Sequence, residues 1–200
     1  MSREETQPDT HQNAINGSAG GPTGEEVPWD RWVRDSLLGD DQAQAALYSH
    51  CHPMVYRLVR RMAGSECADD LTQQVFLQAF RKLDQYRGQA KFHTWLYRLA
   101  VNEVLQWVRR RRSPVGPLLA DPPEPKAGVA ARVEQRDMLD WALKQLDPEL
   151  RAVFLLKEQH GQSYREIAEA VGIPEGTVGS RMNRARQQLR NLLTLAGWEG

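Results

Sequence analysis

Apolar positions along this chain fall into two blocks of helical period, with polar stretches before and between them. From Trp29 to Arg112 the residues recur at three- and four-residue spacing with few breakers. A run such as Leu71, Val75, Phe76, Ala79, Phe80 and Leu83 is the stripe of an amphipathic helix. Residues 137–195 repeat that pattern. No segment alternates apolar and polar residues as a half-buried strand would, and no internal repeat is present. The fold class expected is all-α, with two small helical domains over 28–112 and 137–195.

Punctuation sharpens this outline. Residues 1–27 hold almost no apolar side chains, so they cannot offset the entropy of ordering and are expected to be disordered. Residues 113–136 carry Pro114, Pro117, Pro122, Pro123 and Pro125, the composition of a flexible linker. Asp70 with Gln73 predicts an N-cap and its partner. Asp147-Pro148-Glu149 predicts another helix start, which Gly161 ends. Ser163 with Glu166 predicts a capping box, and Gly172 the stop of a short helix over Tyr164–Val171. A longer helix, about Glu175 to Leu193, follows the Gly172-Ile173-Pro174 break. Short helix, tight turn and long helix make a helix-turn-helix, so the C-terminal domain is read as one.

Charge bears on what these helices touch. The formal net charge is zero, yet residues 1–50 hold nine acids against three bases, while residues 81–112 hold nine bases against two acids. Residues 176–190 add four arginines and no acid. Two separate basic patches on a neutral chain are the footprint of a nucleic-acid binder. On the last helix Val178, Met182, Ala185, Leu189 and Leu192 face the core. The other side shows Thr177, Ser180, Arg181, Arg184 and Gln188, short polar groups followed by arginines. That order suits a helix lying in a major groove, with Thr177, Ser180, Arg181 and Arg184 toward bases and phosphates.

The first patch has a different character. Tyr86, Phe92, Trp95, Tyr97 and Trp107 alternate with Arg87, Lys91, Arg98 and Arg109 to Arg112. Aromatic faces stack on unpaired bases while cations follow the backbone. Trp95, Arg98, Asn102, Gln106 and Arg109 fall on one side of a helix, and Leu96, Leu99, Ala100 and Val104 on the other. Tyr97 is open to two readings, a core aromatic or part of the binding face. The loop Arg87 to Lys91, with Gly88 for close backbone approach, is the candidate pocket for a base taken out of the stack.

Two other functions have less support. A receiver-type activator requires a doubly wound N-terminal domain with buried strands, and none is visible. A metal or redox site on His50, Cys51, His52, Cys67 and His93 has less support, because residues 50–52 cannot all point one way from a helix and a tetrahedral site would need a distant partner, which leaves sensing only as an added property. No metal, cofactor or catalytic set is assigned, and the chain is expected not to be an enzyme. Two cysteines, no apolar run near the roughly 20 residues that span a bilayer, and no signal segment fit a reducing cytoplasm.

The motifs resemble a known family. Asp70-Leu71-Thr72-Gln73-Gln74-Val75-Phe76-Leu77, Tyr86-Arg87-Gly88 and Phe92 through Asn102 look like region 2 of extracytoplasmic-function (ECF) sigma factors. Leu146-Asp147-Pro148-Glu149, Ser163-Tyr164-Arg165-Glu166-Ile167-Ala168, Gly176-Thr177-Val178 and Ser180 through Arg186 look like region 4. The resemblance implies a subunit of bacterial RNA polymerase that recognises promoter DNA and starts transcription. It implies polymerase contacts at Asp70, Gln73, Gln74, Leu77 and Gln78, on the beta-prime coiled coil, and a region 4 contact to the beta flap. Readers of an unpaired −10 element would be Arg87, Gly88, Lys91, Trp95, Arg98 and Asn102. Readers of a −35 duplex would be Thr177, Ser180, Arg181 and Arg184. An anti-sigma partner is implied as well, and with it a place at the inner membrane where that partner is membrane-anchored. Two positions depart from the family pattern: Gln74 stands where an acid is usual, and Gly179 where a base is common. The 24 linker residues reach at most about 80 Å, enough for two DNA sites roughly 70 Å apart.

Overall fold

A computed structural model describes residues 27–111 and 131–197. Among these residues all regular structure is helical. The N-terminal bundle holds α1 (Trp29–Leu37), α2 (Asp41–Ala63), α3 (Ala68–Arg81), a 3-10 turn at Leu83–Gln85, and α4 (Phe92–Arg111). The C-terminal bundle holds α5 (Ala131–Gln145), α6 (Pro148–Glu158), α7 (Tyr164–Val171) and α8 (Glu175–Leu195). The predicted tail 1–27 lies outside the described residues except for Val27, and so does the linker as far as residue 130.

Most helix ends follow from local chemistry. The Asp147 carboxylate accepts from the Glu149 amide at 3.0 Å, with Pro148 at the first helical position. Ser163 and Glu166 form the reciprocal capping box, and Gly172 closes α7 at φ 72°, where a Cβ would be strained. One predicted cap is displaced. Helix α3 begins at Ala68, because the Cys67 carbonyl already accepts from the Leu71 amide at 3.0 Å. Asp70 therefore lies in the first turn, beside the positive helix end, and Gln73 is an exposed helical residue rather than a capping partner. Residues 131–136, read as linker, are helical. Proline spacing could not show this, since the last linker proline is Pro125.

Each bundle closes on its predicted apolar stripe. Leu47, Cys51, Val55, Leu58, Leu71, Val75, Leu96, Ala100 and Val104 are buried between α2, α3 and α4. In the C-terminal bundle Leu143, Val153, Leu156, Ile167, Val178, Met182, Ala185 and Leu189 are buried, whereas Leu192 is partly exposed. Trp29 of α1 stacks on Phe92, with ring centres 5.5 Å apart, and thereby ties α1 to the start of α4.

The two bundles pack against each other, α4 on α7 and α2 on α5 and α6. The seam is polar and specific. The Thr94 hydroxyl donates to Gln162 Oε1 at 3.2 Å, and both residues are buried. Tyr97 Oη and His160 Nδ1 share a 2.8 Å hydrogen bond. Tyr97, 4% exposed, is thus a core aromatic and not part of an open face. The buried Arg151 guanidinium donates to the Met62 carbonyl at 2.6 Å and to the carbonyls of Lys144 and Leu146. One cation therefore serves the C-terminal ends of α2 and α5, where helix dipoles favour positive charge. Arg60 and Arg61 pair with Asp140 of α5 at 3.8 and 3.4 Å.

Burial, with Arg57 and Arg61 nearby, holds the His160 imidazole down to a pKa of about 4. Burial lowers His93 as well. Both groups bind protons more readily in the unfolded chain than in the native one. Stability should therefore be complete above the ordinary histidine value and fall as pH drops from about 6.5 toward 4. For His160 the loss is on the order of 3 kcal/mol. Urea unfolding across that window should show this slope, and His160→Gln should flatten it. An equally steep slope in the variant would show that His160 is not the group responsible.

Candidate nucleic-acid interface

The first candidate surface is built on the start of α4. The loop before it is held by the Tyr86 hydroxyl, which donates to the Ala90 carbonyl at 2.8 Å. Gly88 sits at its tip at φ 69°, a backbone region that favours glycine. Phe92 is buried beneath the loop, and Trp95 lies against Tyr86 and Phe92 with ring centres 5.6 and 5.5 Å away. Trp95 is thus only partly free for stacking. Arg87, Gly88, Lys91, Arg98 and Asn102 are exposed. Lys82, Tyr86, Arg87, Trp95, Arg98 and Asn102 line one wall of a cleft of about 990 Å³.

The opposite wall is the helix-turn-helix. Arg165, Glu169, Gly172, Ile173, Pro174 and Glu175 face the cleft from α7 and the start of α8. Lys91 crosses the gap to Glu166, with Nζ 3.2 Å from Oε1. The Glu166 carboxyl is held down at about 2, because the Ser163 amide, the Ser163 hydroxyl and Lys91 favour its charged form against the cost of burial.

The second candidate surface is α8. Thr177, Ser180, Arg181 and Arg184 line a hollow beside Asp147, Glu149 and Leu150, so these four predicted residues are brought together. Ser180 donates its hydroxyl to the Thr177 carbonyl at 2.9 Å, the local bond that a serine inside a helix commonly makes. Arg184 is exposed, whereas Arg181 is engaged with Glu149 at 2.8 Å. Glu149 also receives Arg109 from the end of α4 at 3.4 Å. Arg186 pairs with Glu158 at 2.6 Å.

The third set lies on α3. Asp70, Gln73, Gln74 and Leu77 are exposed and Gln78 is partly so, while Leu71, Thr72, Val75, Phe76 and Ala79 are buried behind them. Leu77 is 57% exposed, an apolar side chain of the kind a partner protein covers. Sequence reading did not find Tyr48 of α2, a partly exposed ring that packs on Phe76 with 4.6 Å between ring centres. It also missed Glu149, His160, Gln162 and Arg151, which bind one bundle to the other. No periodicity marks such residues, since their partners are distant in sequence. The histidines and cysteines have other surroundings: His50 packs edge-on against Trp29, His52 against Tyr48 and Tyr56, and Cys51 is buried with its thiol pushed up to about 12. Among the described residues no group of His, Cys, Asp and Glu could hold a metal ion, and no helix is long and apolar enough to cross a membrane.

Gly179 illustrates a cost inside α8. A Cβ added there would meet Tyr164 Cε2 at 3.6 Å, ordinary contact, so close packing does not require glycine. Gly179→Ala should raise stability by roughly 0.5–1 kcal/mol. Thermal unfolding of the two chains measures this, and a destabilised variant would refute it.

Comparison with known proteins identifies the family. The chain matches the family model for Sigma-70 region 2 over residues 47–113 and that for Sigma-70 region 4 over residues 136–189. It is 32% identical over 168 residues to the ECF RNA polymerase sigma-E factor of Haemophilus influenzae, covering 76% of this chain and 88% of the relative. It is 34% identical over 167 residues to the ECF RNA polymerase sigma-E factor of Escherichia coli strain K12, covering 76% and 87%. With the ECF sigma factor SigE of Mycolicibacterium smegmatis it shares 39% over 148 residues, 70% of this chain and 57% of the relative. Among solved structures it is similar to CnrH in complex with the cytosolic domain of CnrY, with a TM-score of 0.63 and 25% identity, covering 82% of this chain and 96% of the other. Two helical bundles in this order, each matched by its own family model, make the chain a sigma-70 family member of the ECF class, an RNA polymerase sigma factor.

Proposed function

We propose that this sigma factor holds two promoter elements at once, one by each bundle, while α3 seats it on core RNA polymerase. The exposed row Asp70, Gln73, Gln74, Leu77 and Gln78 is the surface for the beta-prime coiled coil, with Leu77 as its apolar centre. The loop 86–91 and the face of α4 with Trp95, Arg98 and Asn102 take unpaired bases of the −10 element. Helix α8 lies in the major groove of the −35 element with Thr177, Ser180, Arg181 and Arg184 toward the DNA, and its bundle touches the beta flap. The polymerase carries out the chemistry. This chain selects the start site and stabilises the separated strands.

One observation carries the reading. The exposed side of α4 and the exposed side of α8 have different chemistries suited to different DNA states. On α4, an aromatic platform and amides accompany arginines, as single-strand binding requires. On α8, short hydroxyls precede arginines on a capped helix-turn-helix, as groove reading requires. With α5 starting at Ala131, residues 112–130 span at most about 65 Å. The bundles' own dimensions supply the rest of the distance between elements. An anti-sigma factor is the regulatory partner that the family relationship points to, and the similar protein CnrH was solved bound to another chain.

Run-off transcription with core polymerase on a pool of random promoters tests the whole proposal. Transcripts should come from templates sharing two short elements. Failure to associate with core, or to start RNA on any template, would contradict it. Within that assay Arg184→Ala should weaken −35 binding by about 1–3 kcal/mol and relax sequence preference there. Asn102→Ala should slow strand opening more than initial binding, and equal loss at both stages would remove the −10 role.

A further inference from the structure

Aromatic rings hold the start of α4. Lys91 precedes the helix, and its side chain carries donors alone, so it cannot accept from the free amides of the first turn. Phe92, the first helical residue, is 4% exposed. Three aromatic side chains pack against it. Trp95 leans on it with ring centres 5.5 Å apart and 34° between planes, and Tyr86 meets it edge-on at 5.4 Å. Trp29 of α1 lies closer to parallel, at 5.5 Å and 27°. Trp95, Phe92 and Trp29 therefore form one run of rings from the −10 surface to the first helix. The far end of that run is clamped: Trp32 of α1 and His50 of α2 set their rings edge-on against Trp29 at 6.0 and 5.0 Å.

Trp29 belongs to none of the three candidate surfaces. We propose that it is a positioning residue for promoter melting: its ring fixes Phe92, and through Phe92 the tilt at which Trp95 offers a face to an unpaired base. The inference deepens the −10 role given above and rests on it. Ring stacking depends on the angle and offset between planes, so a platform free to tilt is a poor one. The Trp95 amide bonds to the Lys91 carbonyl at 3.2 Å, which places this residue in the first turn, where helices fray. The rings behind it supply the rigidity that the first turn lacks. A side chain already held in its binding orientation gives up little rotamer freedom when the base arrives. The same run reaches the loop before α4, since Tyr86 touches both Phe92 and Trp95 and donates its hydroxyl to the Ala90 carbonyl.

A tryptophan that merely filled the core would act on stability alone. Its replacement by another apolar side chain would then leave strand opening in step with every other activity of the chain. A positioning ring has a different signature. Leucine replaces the burial but has no flat face to set Phe92, whereas phenylalanine keeps the face and loses part of the area. The effect also has to pass through Trp95, so the two residues should not act independently.

The test uses holoenzyme assembled from the full chain and core polymerase. The template carries the two elements returned by the run-off selection, with 2-aminopurine in the −10 non-template strand. Its fluorescence reads strand opening, and anisotropy of the labelled duplex reads initial binding. Trp29→Leu should slow opening roughly three- to tenfold, the equivalent of one lost ring pair, with core association and initial binding unchanged. Trp29→Phe should restore opening. In a chain already carrying Trp95→Ala, Trp29→Leu should add no further loss. Val33→Ala, a change in the buried face of α1 outside the ring run, should lower the unfolding temperature and leave opening at the wild-type rate. Wild-type opening in Trp29→Leu overturns the proposal and leaves the −10 role intact. So does equal slowing in Trp29→Phe and Trp29→Leu, a double variant whose losses multiply, or the same slowing in Val33→Ala. Unchanged opening in Trp95→Ala alone removes the −10 role of Trp95, and the proposal with it.

Discussion

The contact between α4 and α7 organises the rest of this molecule. Beside it, the loop that leads into α7 meets α4 through side chains that are costly to bury without partners: the Thr94 hydroxyl with the Gln162 amide, and the Tyr97 hydroxyl with the His160 imidazole. Burying such a group unpaired costs about 1–3 kcal/mol, so these pairs favour one register of the contact. Arg151 applies the same rule a second time, between the ends of α2 and α5. Around these fixed points the basic side of α4 comes to lie opposite α7 and the start of α8, with Glu169 and Glu175 on the facing wall.

This arrangement makes electrostatics the link between fold and function. Neutrality over the whole chain hides a strong separation, with basic residues gathered on α4 and α8. In the packed form Glu149 and Glu166 neutralise part of that charge from within.

Local features were legible in the sequence and distant pairings were not. The capping box of Ser163 and Glu166, the left-handed stop at Gly172 and the buried stripe Val178, Met182, Ala185 and Leu189 all follow from residue type and spacing. So did the grouping of Thr177, Ser180, Arg181 and Arg184 on one side. Asp70 misled because its chemistry suits the first turn of a helix as well as the cap, and only the Cys67 to Leu71 hydrogen bond separates the two. Residues 131–136 misled because a proline-rich stretch has no marked end. Tyr97 was ambiguous because its hydroxyl partner, His160, lies on another bundle. A proline-rich connector also gave no reason to expect that the bundles would pack together.

The most direct measurement is the distance between the bundles in the free and working states. Fluorophores at Ser65, exposed beside α3, and at Gln187, exposed on α8, would report it by energy transfer once Cys67 is replaced by serine. The account predicts high transfer in the free chain and low transfer in the promoter-bound complex with core polymerase. The same transfer efficiency in both states would contradict it.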